Sequence, residues 1–351
     1  MKGVILTGGT GGHIFPAIAI GRVFEKSGYQ IEYIIVGNKM GKLPAPGITT
    51  RYYSANSPLS GNILKRLWHA IQLFILLIKG FFILKHTDFV IGTGSFASFS
   101  ILLAARLKGI KTYMLEQNSI PGRVTRFFSK RKTKTFISFP DSESYLQGPS
   151  VFSGNPIREE AKTTLCKKDA KKSLGIRTHD KVILVLGGSL GAYRFAEKIL
   201  KLSIKFPTFF FIVQTGRHHK NLSSVFGERR ENHYLIPFHP KPGILYSAAD
   251  YIIARAGAGT IYELSYHKKP VIFVPFPYAQ DNHQYYNALY VKEHGAGLLI
   301  NEGELNEKTL KEALDTLEQH APSIGKKLGE LFPHNAEDII LKEIEHDLGK
   351  V

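Results

Sequence analysis

The sequence predicts an α/β protein built from two doubly wound parallel-sheet domains, and three observations carry that expectation. Short apolar runs alternate with helical patterns in each half of the chain, the order that builds parallel sheets. The segment Gly8-Gly9-Thr10-Gly11-Gly12-His13 closes the first apolar run and returns, 179 residues on, as Gly187-Gly188-Ser189-Leu190-Gly191-Ala192. The 351 residues exceed one ordinary core and fit two domains of roughly 150 to 200 residues.

In the first half, strands are predicted at Gly3–Thr7, Ile31–Val36, Phe89–Gly92, Thr112–Leu115 and Thr135–Ser138. The second half repeats the plan at Val182–Leu186, Phe209–Gln214, Tyr234–Pro237, Tyr251–Ala254 and Val271–Val274. Between them, Phe152–Arg158 contains Gly154-Asn155-Pro156, whose turn chemistry suits a hinge. Residues 1–156 and 157–334 are therefore the expected domains. The amphipathic pattern Ala336–Leu348 is expected to cross back, so that 335–351 packs on the first domain. Ligands of such sheets bind at the carboxyl ends of the strands, here in a cleft between the domains.

Charge is distributed unevenly. Residues 1–155 hold 19 Lys+Arg against 6 Asp+Glu, leaving 27 against 23 for the remainder of a chain of net charge +17. The first half is thus expected to meet something anionic. No nucleic-acid module is recognisable and aromatic residues do not interleave with the charges, so nucleic acid is not the expected partner. A membrane surface accounts better for the asymmetry. From Ile63 to Lys85, Trp68, Ile71, Phe74, Ile75, Ile78 and Phe82 recur at helical spacing among Lys65, Arg66, His69, Lys79 and Lys85. The longest unbroken apolar run there, Leu73–Ile78, falls far below the roughly 20 residues of a membrane span. Two readings stand: a helix lying in the interface with its lysines among anionic headgroups, or a core helix with a solvated basic edge. A single cysteine, Cys166, excludes an internal disulfide framework and fits a reducing compartment. The apolar stretch Val4-Ile5-Leu6 ends too soon for a secretory signal, and a cytoplasmic location is expected.

A strand that breaks into glycines and then a helix points unpaired N–H groups and a positive helix end at one spot, which suits a phosphate. Two such loops imply two anionic ligands. Read as GxGxxG, the first loop carries Ile14 at the third glycine, and the second apolar run ends at Gly37-Asn38 without the acidic residue that would hold a ribose. A nicotinamide or flavin enzyme is therefore disfavoured, and no Gly-Lys-Ser/Thr follows either loop. His13 stands beside the first loop, suited to act as base or charge stabiliser. Gly92-Thr93-Gly94-Ser95 adds N–H groups and hydroxyls, and Glu116-Gln117-Asn118 follows a further strand. In the second half, Arg255-Ala256-Gly257-Ala258-Gly259-Thr260 leads into a helix whose Glu263 could accept both ribose hydroxyls or merely complement the helix dipole. The carboxamides and histidine of Asp281-Asn282-His283-Gln284 suit sugar hydroxyls better than a metal. Metal-ligand spacing is missing, so neither a bound metal nor a cofactor is expected.

Taken together, Gly8–Pro16, Glu116-Gln117-Asn118, Ser153–Arg158, Gly187–Ala192, Arg255–Glu263 and His283-Gln284 with Asn287-Ala288 resemble the MurG family, in that family's order. The resemblance implies a GT-B fold and an inverting N-acetylglucosaminyltransferase. Its donor would be UDP-N-acetylglucosamine and its acceptor lipid I, the undecaprenyl-diphosphate-linked muramoyl pentapeptide. It further implies a peripheral site on the inner face of the cell membrane and association with other cell-wall synthesis proteins. By motif, Ser189 and its loop would hold the nucleotide diphosphate, Glu263 the ribose and Phe238 the uracil. Asn118, Gln284 and Ala258 would contact the sugar, with Arg158 and Arg255 near the donor. Thr10, Gly11, Gly12, His13, Gly94 and Ser95 would receive the lipid diphosphate and acceptor sugar. His13 is the first choice of general base, and Glu116 the competing or supporting group. Leu115, Ser95-Phe96, Ala256 and Asn38–Lys42 depart from the family's usual residues.

Overall fold

The computed structural model describes residues 1–37, 49–53, 63–130, 133–188 and 191–350, which form two compact units. The first comprises Met1–Pro156 with Asn335–Val351, the second Ile157–His334.

The first unit holds strands β1 (Lys2–Gly8), β2 (Gln30–Val36), β3 (Thr50–Tyr53), β4 (Phe89–Gly92), β5 (Lys111–Glu116), β6 (Lys134–Ile137) and β7 (Ser150–Phe152). They pair, all parallel, in the order β3-β2-β1-β4-β5-β6-β7. The order reverses between β1 and β4, which places that sheet's switch point at the ends of those two strands. Helices α1 (Gly11–Lys26), α2 (Ile63–Ile83), α3 (Phe99–Leu107) and α4 (Arg123–Phe128) follow β1, β3, β4 and β5. One face of the sheet packs Ile5, Ile91 and Leu115 against Ala17, Ile20 and Phe24 of α1. Ile340 and Ile344 of the Ala336–Asp347 helix complete that cluster, and Lys134 pairs with Glu343 (2.8 Å) and Asp347 (2.9 Å). The opposite face packs Val4, Leu6 and Val90 against α3 and α4.

The second unit holds β8 (Lys181–Leu186), β9 (Phe209–Gln214), β10 (Arg229–Arg230), β11 (His233–Ile236), β12 (Tyr251–Ala254), β13 (Val271–Phe273) and β14 (Leu298–Leu299). Their order is β10-β11-β9-β8-β12-β13-β14, parallel except for the β10–β11 pair. Its switch point lies between β8 and β12. The Glu307–Leu331 helix starts on a reciprocal cap, in which Thr309 N–H donates to Asn306 Oδ1 and Asn306 N–H to Thr309 Oγ1. It buries Leu310, Leu314 and Leu317 in the unit's core.

All ten strands expected from the sequence are present, and β3, β7, β10 and β14 are additional. Each is two to four residues long at or next to a sheet edge, where half-exposed side chains weaken the apolar pattern.

Helix α2 answers the choice between core and surface. Leu76 and Gly80 are buried, and Leu73, Leu77 and Ile83 pack partly against the core. A Cβ at Gly80 would sit 2.8 Å from that of Ala104, so glycine lets α2 lie close on α3. The opposite face leaves Leu64, Leu67, Trp68, Ile71, Phe74 and Phe82 half or more exposed, with Trp68 at 57% and Phe74 at 62%. Although its longest apolar run is short, the 21-residue helix is long and apolar enough, by length and composition, to cross a membrane. The run is broken by Lys79 and Gly80, which a helix carries without losing its apolar character.

Candidate functional site

In the first unit the switch point is lined by two loops. A Cβ at Gly8 would strike the Val36 carbonyl oxygen at 1.9 Å and lie 3.3 Å from Ser95 Oγ, so only glycine lets the β1 and β4 loops converge. Gly9 and Gly94 adopt φ of +79° and +75°, where L side chains are strained. Thr10 precedes α1 and accepts the His13 and Ile14 N–H groups on its carbonyl, while Gly12 is exposed at the first turn. Thr93 braces the second loop, its hydroxyl donating to Thr7 Oγ1 at 3.0 Å and its N–H to the Leu6 carbonyl. Ser95 is buried against the first loop.

His13 sits on the first turn of α1, and its Nδ1 is buried with no partner among the described residues. Burial lowers the imidazole's affinity for a proton, opposed by the Thr93 backbone and the Gln117 side chain beside it. Gln117 is buried at the end of β5. Its Nε2 donates to the Leu115 carbonyl at 3.0 Å, leaving Oε1 unpartnered. Thus His13 and Gln117 stand side by side at this switch point.

Glu116 stands differently. Its Oε1 accepts the Asn118 N–H at 3.0 Å and, at 3.4 Å, Asn118 Nδ2; its Oε2 accepts the Gly122 N–H at 3.0 Å. Burial raises its proton affinity, opposed by the Thr125 hydroxyl and those amides. This carboxylate braces the loop from β5 to α4, with Asn118 half-buried as one of its donors.

The second unit carries most of the other candidates beyond the carboxyl ends of β8, β11, β12 and β13, with Arg158 ahead of all four. Gly188 has φ +89° and open space where a Cβ would be, whereas a Cβ at Gly191 would meet the Thr215 carbonyl oxygen at 2.4 Å. Ser189 and Leu190 lie outside the described residues, as do Asn38–Lys42. Gly257 caps the Ala258–Tyr266 helix, and Cβ atoms added at Gly257 or Gly259 would meet nothing within 4 Å, so the backbone of this turn leaves room on its side-chain side.

One turn on, Glu263 is held by Arg158 Nε at 2.8 Å and by the Tyr246 hydroxyl. Burial disfavours charge on Arg158, but Glu263, helped by Tyr246 and Glu160, offsets it and the guanidinium is held above its ordinary value. The Arg158 guanidinium also lies 5.8 Å from the ring centre of Phe238, which is 41% exposed. Arg158, Phe238 and Glu263 therefore form one cluster, joined by Tyr246, which sequence reasoning missed.

Arg255 is buried and already engaged. Its Nη1 donates to the Val274 and Pro275 carbonyls at 3.0 Å and its Nη2 to Glu302 at 2.9 Å, while Phe195 and Phe276 flank it at 4.4 and 5.5 Å. It fixes the β13 exit, and only Nε is unpartnered. Gln284 is the second residue of the helix His283–Glu293, which follows the left-handed Asp281 and Asn282; its Oε1 accepts the Phe276 N–H at 3.0 Å. Asn287 Nδ2 ties this helix to the Ala256 carbonyl. Among the described residues no group of three His, Cys, Asp or Glu is gathered as for a metal ion.

Comparison with known proteins finds two family domains along the chain. Residues 4–137 match the glycosyltransferase family 28 N-terminal domain and residues 182–340 its C-terminal domain. The chain is 33% identical to an Aquifex aeolicus protein over 96% of its own length and 98% of the relative's. It is 30% identical to one from Symbiobacterium thermophilum, over 98% and 96%. Both relatives are named UDP-N-acetylglucosamine--N-acetylmuramyl-(pentapeptide) pyrophosphoryl-undecaprenol N-acetylglucosamine transferase. The crystal structure of Acinetobacter baumannii MurG superposes with a TM-score of 0.74 at 22% identity, covering 98% of this chain and 99% of that one; the shared fold is the two-domain GT-B arrangement. With that identity sustained along nearly the whole of both sequences, the chain belongs to the MurG family of N-acetylglucosamine transferases.

Proposed function

We propose that this protein transfers N-acetylglucosamine from UDP-N-acetylglucosamine to the 4-hydroxyl of the muramoyl sugar of lipid I, giving lipid II for peptidoglycan. Full-length kinship to transferases of that name carries the reading. The geometry supports it through two switch-point sites, each with a glycine-rich strand-to-helix turn, one beside His13 and one beside the Glu263 carboxylate.

His13 is the general base. The acceptor oxygen attacks the anomeric carbon, the bond from that carbon to the UDP oxygen breaks with its electron pair leaving on UDP, and the acceptor's proton passes to His13. Configuration inverts to a β-linkage. Burial keeps the imidazole neutral and ready to accept. Glu116, with its oxygens already accepting amides, is better fitted to shape the loop than to take the proton. Thr10, Gly11, Gly12, Gly94 and Ser95 receive acceptor groups.

On the donor side, the N–H groups of Ala258 and of the Ser189 loop meet the diphosphate and sugar, and Phe238 stacks on uracil. Glu263 turns to the ribose hydroxyls, with Arg158 and Tyr246 holding its carboxylate in place. Gln284 and Asn118 supply carboxamides to the sugar, and Arg255 sets the β13 loop. The leaving charge is stabilised by aligned amides and helix ends.

The exposed face of α2, with Trp68, Ile71, Phe74 and Ile75 between Lys65 and Lys79, rests on the anionic inner face of the membrane that carries the lipid acceptor. Release of UDP by the purified protein, with and without a soluble lipid I analogue in excess EDTA, tests the whole. Release only with acceptor is expected; release from donor alone would indicate hydrolysis or epimerisation and overturn the reading.

A further inference from the structure

A second concentration of charge lies at the far end of the second unit's sheet. The strand exits of β8, β12 and β13 carry the donor-side loops, but Asp250 and Lys269-Pro270 stand where β12 and β13 begin. There a cavity of about 400 Å³ is lined by Lys167, Asp250, Tyr251, Lys268, Lys269 and Lys326, with Ala321 and Pro322 forming an apolar wall. That volume falls in the range of about 300–1,000 Å³ usual for small-molecule sites.

The charges do not balance locally. Asp250 is the only carboxylate in the lining, and it is shared: Lys167 reaches it at 2.6 Å and Lys171 at 3.3 Å, while the Val182 N–H donates to it at 2.9 Å. Lys269, mostly buried, donates to the neutral Ala249 carbonyl at 2.9 Å. Lys268 and Lys326 stand exposed at the rim, Lys326 only 3.9 Å from Glu330 of its own helix. Burial and the neighbouring Lys167 hold the Lys269 ammonium down to about 8, the state of a cation in want of a counter-ion.

We propose that this cavity binds a small phosphate-bearing anion of the diphosphate class, separate from the donor nucleotide. Of its lysines, Lys269 is the least exposed, whereas Lys167, Lys268 and Lys326 are open to solvent. Ammonium groups are compact charges suited to phosphate oxygens, and each offers three donors. Tyr251 is buried, so the lining shows no free ring on which a base could stack, and the fit is to an anion rather than a nucleotide. The charge of the bound anion would favour the protonated form of Lys269, so binding should take up protons near and above pH 8, where the free group has begun to release its own.

The test is calorimetric titration of sodium diphosphate into the whole protein, with UDP saturating the donor site and ionic strength fixed by sodium chloride. A saturable component beyond any taken by the acceptor-side glycine loops of the first unit is expected in the parent and in Lys292→Glu, a charge reversal on an exposed helix face elsewhere. Lys268→Glu/Lys326→Glu, changed only at exposed positions, should bind at least tenfold more weakly. Diphosphate should also slow acetylation of Lys269 relative to Lys292, followed by peptide mass spectrometry. Equal affinity in the parent and the double variant, no saturable heat, or unprotected Lys269 would each overturn the proposal. UDP release with acceptor is scored separately, so the transferase reading stands or falls independently.

Discussion

Replacing Glu263 by alanine should do two different things, and the structure separates them. The carboxylate and the Arg158 guanidinium are only 10% and 13% exposed, so truncation leaves a cation buried without its partner. Breaking such a pair costs about 3 kcal/mol. The Tyr246 hydroxyl also loses its acceptor, a further loss of about 1 kcal/mol. For a unit of this size, about 4 kcal/mol corresponds to a fall in melting temperature of roughly 8–16 °C. Donor binding should weaken independently, since each charge-assisted hydrogen bond to the ribose contributes about 1.5–3 kcal/mol, or roughly 10- to 150-fold in Kd. An apolar replacement of the whole cluster, Arg158→Met/Tyr246→Phe/Glu263→Leu, should recover most of the stability and none of the affinity. Differential scanning calorimetry and UDP titration on parent, single and triple variants measure both axes. A Glu263→Ala protein that melts within a degree of the parent would refute the buried-pair argument. A triple variant that binds UDP as the parent does would remove the ribose assignment.

Three other outcomes are expected. His13→Ala should lower kcat by roughly 10²- to 10⁴-fold with donor Kd unchanged; in the parent, because burial lowers the imidazole from its ordinary 6.5 and the base must be neutral, the acid limb of kcat should fall below pH 6.5. An acid limb above that value would count against His13. Gly94→Ala places a Cβ 2.7 Å from Thr125 Oγ1 at φ +75°, so it should lower the melting temperature by an amount equivalent to about 1–3 kcal/mol and impair acceptor turnover, both seen in parallel unfolding and rate assays. Trp68→Glu/Phe74→Glu, at exposed positions, should leave the melting temperature nearly unchanged and abolish sedimentation with anionic vesicles; retained sedimentation would remove the α2 assignment.

What could be read in the sequence was whatever depends on neighbours in the chain. The central strands β1, β4, β8 and β12 are buried on both faces and therefore announce themselves as unbroken apolar runs. The glycine loops are equally legible, because φ above zero leaves few residue choices. The Glu263 cluster was only half visible: Arg158 is 105 residues away, and Tyr246 carries no motif to mark it. Gln117 appeared only as the middle of a triplet, with nothing to show that its amide would be locked on Leu115 with the oxygen left open. Arg255 leads a recognisable loop, yet its fork is committed to two carbonyls and Glu302, a pairing that only the folded chain displays. The lysine cavity was hidden for the same reason, its members coming from segments around 167, 250, 268 and 326.

The first unit borrows its last helix from the far end of the chain, with Ile340 and Ile344 seated against α1. During synthesis the second unit therefore has every residue of its core in hand while the first, although made earlier, still waits for two isoleucines and the Glu343 and Asp347 partners of Lys134. Of the two, the unit translated first is the last to be finished. A nascent chain halted near residue 334 should carry one completed unit and one with an uncovered apolar groove along α1, a natural place for a chaperone to hold it.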